Sequence, residues 1–540
     1  MKKILCAAVA IGLGAALAGC NSSSDSTPTT TPIKHLVVIY GENVSFDHYY
    51  GTYPNATNPA GEPKFTAAAG TPSVNVLTAS LLNNNPNLTN VANGTGVSNP
   101  FRLDRSQAAT ADMNHDYTAE QQAYDGGAAD LFPEFTGTAE TGASGAFGTT
   151  GLVMGYYDGN TVTALWNYSQ HFAMSDNAYS DQYGPSSPGA INVIAGQTNG
   201  FVVGKSSFTD YFIADGQGGK TMMGDVDPTG DTCSSTTDQG SLTGKNIGDL
   251  LNEKGISWGW FEGGFDLSLT NADGSTGCSR THTSSVTNSL KADYIPHHQP
   301  FQYYKSTSNP THVRPTSTQS IGQQGDAANH QYDLQDFFTA VKAGNFPSVT
   351  FLKASGFQDA HAGYSDPLDE QTFVTQVVNF LEQQPDWNNT AVLVLYDDSD
   401  GWYDHQFAKV GNGSFNATVD QVTSAGNCGT KGTTAQASGV AGKGAVDGRC
   451  GPGARQPFIV ISPWAKANFV DHTQTTQASV VKFIEDNWLG GERLGGGSFD
   501  ATTGSIEGMF DFTNGGKNPV LFLDTSTGLV VSKPSAGLPQ

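Results

Sequence analysis

Positive charge is in short supply in this chain. Its 540 residues include 26 Lys and Arg against 50 Asp and Glu, a formal net charge of −24. Such an acidic surface repels a polyanion, which argues against nucleic acid as the main partner. It equally repels a small anion, so any anion site has to bring its own compensation. Charged residues of both signs make up only 14%, yet hydrophobic residues reach 37%, with 65 Gly and 25 Pro. That balance belongs to a loop-rich globular chain and not to a disordered one. The most apolar run near the start, residues 4–17, is too short and too rich in Ala and Gly to span a bilayer. The chain has no Gly-x-Ser-x-Gly turn, His-Glu-x-x-His helix or P-loop, so familiar hydrolase and NTPase signatures are missing. No internal repeat is evident.

Cysteine is also scarce, with six in all. Lys2 and Lys3 precede the apolar run, which ends Leu17-Ala18-Gly19-Cys20. This resembles a lipoprotein signal peptide over residues 1–19, with Cys20 as the acylated new N-terminus; an ordinary secretory signal with a chance Cys is the alternative. Residues 20–32 (CNSSSDSTPTTTP) then form a flexible tether. The expectation is an exported lipoprotein, anchored in the membrane through its N-terminal lipid and facing the periplasm or cell surface. Four further cysteines, Cys233, Cys278, Cys428 and Cys450, form an even set in an exported chain and suggest two disulfides. Of three possible pairings the sequential one, 233 with 278 and 428 with 450, closes loops within Gly-rich stretches, worth roughly 3–4 kcal/mol each in a chain-entropy account. No close Cys pair supports zinc.

Four short apolar runs read as strands buried on both faces: residues 35–40 (HLVVIY), 348–352 (SVTFL), 391–396 (AVLVLY) and 457–461 (PFIVI). Helical periodicity appears over 372–384, with Phe373, Val374, Val377, Val378 and Leu381 on one face, and over 477–488. This alternation predicts an α/β fold with a mainly parallel sheet flanked by helices. Residues 201–346 are polar and rich in Gly, Ser and Thr, and are expected to be a loop-rich insertion over the carboxyl edge of the sheet, within one catalytic domain spanning 33–540. Two of the strands stop on paired oxygen ligands, Glu42 and Asn43 after Gly41, and Asp397 and Asp398 after Tyr396. Ligands in open α/β sheets bind beyond the carboxyl ends of strands. Two carboxylates there repel each other unless a cation lies between them, and oxygen donors alone suit a hard divalent ion of the Ca²⁺, Mg²⁺ or Mn²⁺ type.

The segment Gly184-Pro185-Ser186-Ser187-Pro188-Gly189 precedes a short helical stretch over 190–195, with Pro188 suited to the first helical position. A hydroxyl there is either a plain N-cap or a group whose alkoxide the helix end favours. His115, His297, His298, His361, His405 and His472 all lie among Asp, Asn, Tyr or Gly. Imidazolium binds phosphate only at or below about pH 6.5, so a phosphate site built from histidines belongs to an acid-active enzyme.

Residues 35–53, HLVVIYGENVSFDHYYGTY, resemble the opening signature of the bacterial phosphoesterase family, which contains phosphocholine-preferring phospholipases C and acid phosphatases. Four further blocks agree: 176–196 around GPSSPG, 361–370 (HAGYSDPLDE), 397–405 (DDSDGWYDH) and 462–472 (SPWAKANFVDH). The resemblance implies an alkaline-phosphatase-like fold. It implies one divalent metal held by Glu42, Asn43, Asp397 and Asp398, with Ser186 as fifth ligand and nucleophile. His361 would protonate the leaving group, and His115, His297 and His298 would surround the phosphate in place of a second cation. Where the phospholipase branch reads Gly-Pro-Thr-x-Pro-Asn, this chain has Ser186, Ser187, Pro188 and Gly189. That departure favours a metal-dependent acid phosphatase acting on phosphorylated small molecules or lipids through a phosphoserine. A phospholipase C acting on phosphatidylcholine-like lipids and a non-catalytic metal-binding surface lipoprotein are the alternatives. No Cys-x-Pro-x-Arg motif supports an arylsulfatase.

Overall fold

A computed structural model describes residues 28–205, 211–513, 515–535 and 537–539. The signal segment, Cys20 and most of the tether lie outside the described residues. An eight-stranded sheet runs through the centre. In chain order its strands are β1 (His35–Gly41), β2 (Ala173–Ser175), β3 (Trp258–Glu262), β4 (Gln331–Asp333), β5 (Val349–Lys353), β6 (Thr390–Tyr396), β7 (Phe458–Ile461) and β8 (Phe469–Asp471). Across the sheet they lie in the order β4-β3-β5-β1-β6-β7-β2-β8. Every pairing is parallel except the two made by β7, which runs antiparallel to β6 and to β2. All residues of β3, β5 and β6 are buried, as the unbroken apolar runs require of strands covered on both faces.

Helices α1 (Phe46–Tyr50), α2 (Thr163–His171), α3 (Ser186–Ala195), α4 (Ile247–Lys254), α5 (Leu334–Lys342), α6 (Pro367–Leu381) and α7 (Ala478–Trp488) surround it. The predicted helix over 372–384 is α6 displaced toward the N-terminus. Asp366 caps it, accepting from Leu368 N at 2.8 Å and Asp369 N at 3.1 Å, and Pro367 opens its first turn. The mainly parallel α/β expectation holds. The segment 201–346 is not an insertion throughout, because it supplies β3 and β4 as well as loops. β3 escapes a search for Val/Ile/Leu runs because its burial comes from Trp258, Trp260 and Phe261. Disulfides join Cys233 to Cys278 and Cys428 to Cys450, the sequential pairing.

The reversed direction of β7 has a structural consequence. The residues entering it lie at the same sheet edge as the residues leaving its parallel neighbours. Arg455 reaches that edge fully buried. Its Nη2 donates to Asp47 Oδ1 at 3.1 Å and its Nε to Asp404 Oδ1 at 3.1 Å, while Nη1 meets the carbonyls of Asn75 and Asp176. One guanidinium thus ties α1, the loop after β6 and the end of β2. His405 Nδ1 completes the cluster 2.6 Å from Asp47 Oδ2. Burial opposes charge on both members, but each stabilises the other: Asp47 raises the His405 pKa and His405 lowers that of Asp47.

We expect Arg455→Met to cost about 3–5 kcal/mol in urea unfolding, since it leaves buried Asp404 without its cation and Asp47 with His405 alone. His405→Gln should show a pH dependence of defined sign. A histidine whose folded pKa is raised stabilises the fold fully below about pH 6.5, and the contribution disappears as pH climbs through the folded value. The destabilisation by His405→Gln should therefore be largest near pH 6 and shrink above neutrality, with Asp47, Asp404 and Arg455 facing the ring throughout.

Candidate active site

The register of the sheet brings the strand-end acids together. β1 and β6 run parallel with Gly41 opposite Tyr396, so Glu42 and Asp397 emerge side by side. On the other flank Tyr40 lies opposite Lys353, which places the Lys353 ammonium against Glu42 Oε1. Asn43 has a left-handed backbone, φ 60°, which Asn tolerates better than most residues. That turn lets its N–H donate to Asp397 Oδ1 at 2.8 Å, while its Nδ2 donates to Asp400 Oδ1 at 2.9 Å. Asp397 Oδ1 also accepts from Asp398 N at 2.7 Å. Burial and then the neighbouring Asp397 push the Glu42 carboxyl well above its ordinary pKa, and the same two causes raise Asp398. For Asp397 burial is outweighed by a hydrogen bond from the Glu42 carboxyl in its protonated form, by the Lys353 charge and by two backbone N–H groups, and it is held below the usual range. Glu42 Oε2 and Asp397 Oδ2 are buried without a hydrogen-bond partner. Orphaned carboxylate oxygens in an all-oxygen donor set fit a hard cation.

Ser186 is the first residue of α3, and all ten residues of that helix are buried. Its Oγ lies 3.2 Å from Asp398 Oδ2 and 3.4 Å from Asn43 Oδ1. The helix begins earlier than its sequence suggests. Pro188 occupies its third position, where the N–H it lacks would have had no helical acceptor. Ser186 is therefore not the N-cap: Pro185 is, and no side chain caps the helix. The Ser187 N–H is taken by Asp225 Oδ1 at 2.9 Å. Gly189 explains how close the helix comes to the strand end, since a Cβ there would sit 2.2 Å from the Asp397 carbonyl oxygen.

Four histidines approach the same edge, and they differ in charge. His298 Nε2 lies 3.4 Å from Glu42 Oε2, with burial and then Lys353 lowering its pKa well below 6.5. His297 stands against it with ring centroids 4.6 Å apart, and its Nδ1 lies 3.2 Å from Asp227 Oδ1. His115 Nδ1 lies 3.3 Å from Asp400 Oδ1. Burial opposes charge on His115 and His297, but the carboxylates around them win and raise both pKa values, through Asp398, Asp400 and Asp112 for His115 and through Asp225 and Asp227 for His297. The His361 ring lies 6.0 Å from that of His115, and its Nδ1 is fixed 2.6 Å from the Ala362 carbonyl, leaving Nε2 to exchange a proton. Burial lowers the His361 pKa to about 4. His405 and His472 lie elsewhere, paired with Asp47 and Asp176.

Several members of the site escape sequence reading. Lys353 follows the SVTFL run directly and is fully buried; the strand-end rule that picks out Glu42 and Asp397 applies to it equally. Asp359 lies within 4.0 Å of Lys353 Nζ. Glu120 accepts from Gly184 N at 3.0 Å and from the Ser399 hydroxyl, bracing the loops before Ser186 and after Asp398. Its neighbours in sequence offer no signal. Three clusters bring three acid, imidazole or thiol ligand atoms within 4.8 Å among the described residues: Asp112/His115/His361, Asp231/Cys233/His312 and Asp47/Asp404/His405. The second loses its sulfur to a disulfide and the third is filled by Arg455.

Residues 33–489 match the sequence profile of the Phosphoesterase family. The chain belongs to that family. It is a phosphoric ester hydrolase. Phospholipase C A of Mycobacterium tuberculosis is 22% identical over 468 residues, covering 84% of this chain and 72% of that protein. Non-hemolytic phospholipase C of Burkholderia pseudomallei is 24% identical over 471 residues, covering 85% of this chain and 55% of that protein. Among solved structures, a mutant alkaline phosphatase PafA aligns with a TM-score of 0.29 at 10% identity, covering 64% of this chain and 93% of that one.

Gly189→Ala tests the close approach of α3 in this phosphoesterase. The added methyl has to displace either the helix or the Asp397 backbone, and both carry site residues. We expect kcat/KM to fall at least tenfold while a circular dichroism spectrum stays unchanged; full activity would show that the gap opens freely.

Proposed function

We propose that this phosphoesterase is a metal-dependent acid phosphatase that hydrolyses phosphate monoesters through a phosphoserine on Ser186. The observation that carries the reading is the Ser186 hydroxyl at 3.2 Å from Asp398 and 3.4 Å from Asn43, beside two orphaned carboxylate oxygens and ringed by histidines of both charge states. Glu42, Asn43, Asp397, Asp398 and Ser186 would hold one divalent ion of the Ca²⁺, Mg²⁺ or Mn²⁺ type. When bound, such an ion screens phosphate charge and lowers the serine pKa.

This chain's own residues supply the remainder. The first turn of α3 aims Ser186 at the phosphorus for in-line attack, in which the Oγ–P bond forms as the bond to the leaving oxygen breaks and the hydroxyl proton is released to water. The Ser187 N–H is already engaged by Asp225, so the phosphate oxygens depend on side chains for charge. His115 and His297, held as cations by their carboxylate neighbours, meet that need. His361 is neutral above about pH 4 in the free protein; an approaching phosphate dianion favours its protonated form, and Nε2–H then serves the leaving oxygen. Water releases phosphate from Ser186 with His361 returned to a base.

A phospholipase C activity is the second reading, favoured by the names of both phospholipase C relatives. In either case we propose that the catalytic domain spans 33–540 and is exported and tethered to a membrane through lipid on Cys20.

Ser186→Ala should abolish turnover with the fold retained; normal activity in that variant would remove Ser186 as nucleophile and point to Ser187. Elemental analysis should find one divalent ion per chain, lost in the Asp397→Asn/Asp398→Asn double variant. The pH dependence has a definite sign. His115 and His297 have raised pKa values, so their charge persists through acid and neutral pH and is lost as pH rises through those values. We expect kcat/KM for p-nitrophenyl phosphate to hold its maximum on the acid side, from roughly pH 5 upward, and to decline only above about pH 6.5, as pH rises through the raised histidine values. An alkaline maximum would show that the histidines do not bind phosphate as cations.

A further inference from the structure

One cation near the site has no role in the chemistry above. Lys291 belongs to a two-stranded hairpin, Thr281–Thr283 with Leu290–Ala292, in which it pairs with His282. The hairpin is firmly seated. Its base is held by Arg280 Nε, 3.0 Å from Asp293 Oδ2, and His282 Nδ1, 2.6 Å from Asp293 Oδ1. Its tip rests on the loop that carries His361: Thr287 Oγ1 donates to the Tyr364 carbonyl at 3.2 Å and Ser289 Oγ to the Gly363 carbonyl at 3.3 Å.

From that mount the Lys291 Nζ sits over the Tyr364 ring, 3.7 Å from its centroid. The same ring stacks on His361 with centroids 4.3 Å apart, and its hydroxyl donates to Asp359 Oδ2 at 3.2 Å. Lys291 forms no ion pair among the described residues, unlike Lys353 beside it. Its stem runs past Gly356, where a Cβ would come within 3.0 Å of it. Its charge reaches His297, His298 and His361 as a minor contribution that opposes their protonation, behind burial in each case and outweighed at His297 by Asp225 and Asp227.

We infer that Lys291 is a specificity-determining residue that selects phosphate monoesters over phosphodiesters bearing a quaternary ammonium. This rests on the reading of Ser186 and His361 as the reacting centre. Two physical effects act in the same direction. An ammonium beside the phosphate histidines attracts a dianionic monoester more than a singly charged diester, and repels a trimethylammonium group outright. The face of an aromatic ring is also the natural seat for a quaternary ammonium. Tyr364 is the aromatic ring stacked on His361, and Lys291 already occupies it.

The test uses the metal-loaded full chain and two esters with one leaving group, p-nitrophenyl phosphate and p-nitrophenylphosphorylcholine. Lys291→Met keeps the stem and removes the charge. We expect KM for the monoester to rise about tenfold, equivalent to about 1.4 kcal/mol, with kcat little changed, while kcat/KM for the choline diester holds or increases. Lys291→Arg should keep the original preference. Equal losses on both esters, or no change on either, would overturn the assignment. Binding of inorganic phosphate and of phosphorylcholine by calorimetry gives a readout without turnover, and Lys291→Met should weaken the first more than the second, because phosphorylcholine loses a repulsion of its trimethylammonium along with the attraction for its phosphate. A wild-type enzyme that prefers the choline diester at every pH would defeat the acid phosphatase reading instead, and the ratio between wild type and Lys291→Met would still decide the role of Lys291.

Discussion

Five carboxylates, those of Glu42, Asp359, Asp397, Asp398 and Asp400, are buried at one edge of the sheet, each at most 1% exposed. One buried ammonium, Lys353, shares that edge and engages Glu42 and Asp359. Removing charges from water costs several kcal/mol per ion unless partners compensate, and a single lysine cannot balance five acids. The arrangement is compatible with a metal ion supplying further positive charge. The raised pKa values of Glu42 and Asp398, the orphaned oxygens of Glu42 and Asp397, and the upward shift of His115 all express this deficit. A divalent cation among the oxygens would answer that imbalance, and the outer histidines would bring the local compensation that a phosphate needs beside so many acids.

The Arg455 cluster shows the alternative outcome. Asp47 and Asp404 are as deeply buried, yet a guanidinium and His405 satisfy them from within the chain. That edge is closed, and its role is to hold the loops after β1 and β6 in place. The two clusters lie on the same loops and differ in whether the fold supplies the counter-charge. Completed pairing marks a structural group, and incomplete pairing marks one built to receive something.

Legibility from sequence followed burial chemistry closely. The strands HLVVIY, SVTFL, AVLVLY and PFIVI are visible because a strand covered on both faces must be apolar throughout. The direction of PFIVI is not visible, because the same composition serves either orientation. β2 and β8 are three residues long, and β3 buries aromatic rings, so neither produces the expected run. Glu42, Asn43, Asp397 and Asp398 could be found as polar residues that abruptly end apolar strands. Lys353 could have been found by the same rule. Glu120, Asp359 and Lys291 could not, because only tertiary packing carries a residue of the short helix Tyr117–Tyr124, a loop residue after β5 and a hairpin residue to this edge. The charge difference among the histidines was equally hidden, since it depends on which carboxylates stand beside each ring.

Ser186 meets Asp398 and Asn43 only because α3 presses its first turn against the strand end, and Gly189 permits that approach by lacking a Cβ. A larger residue at that position requires a different spacing between α3 and β6. The rim is set independently, by a hairpin held on the His361 loop near the Cys233–Cys278 bridge. The hairpin's mount is thus separate from the contacts that hold the acids and the serine. In this chain the hairpin places a lysine over the ring next to the candidate acid, and an overall charge of −24 makes that local cation count for more.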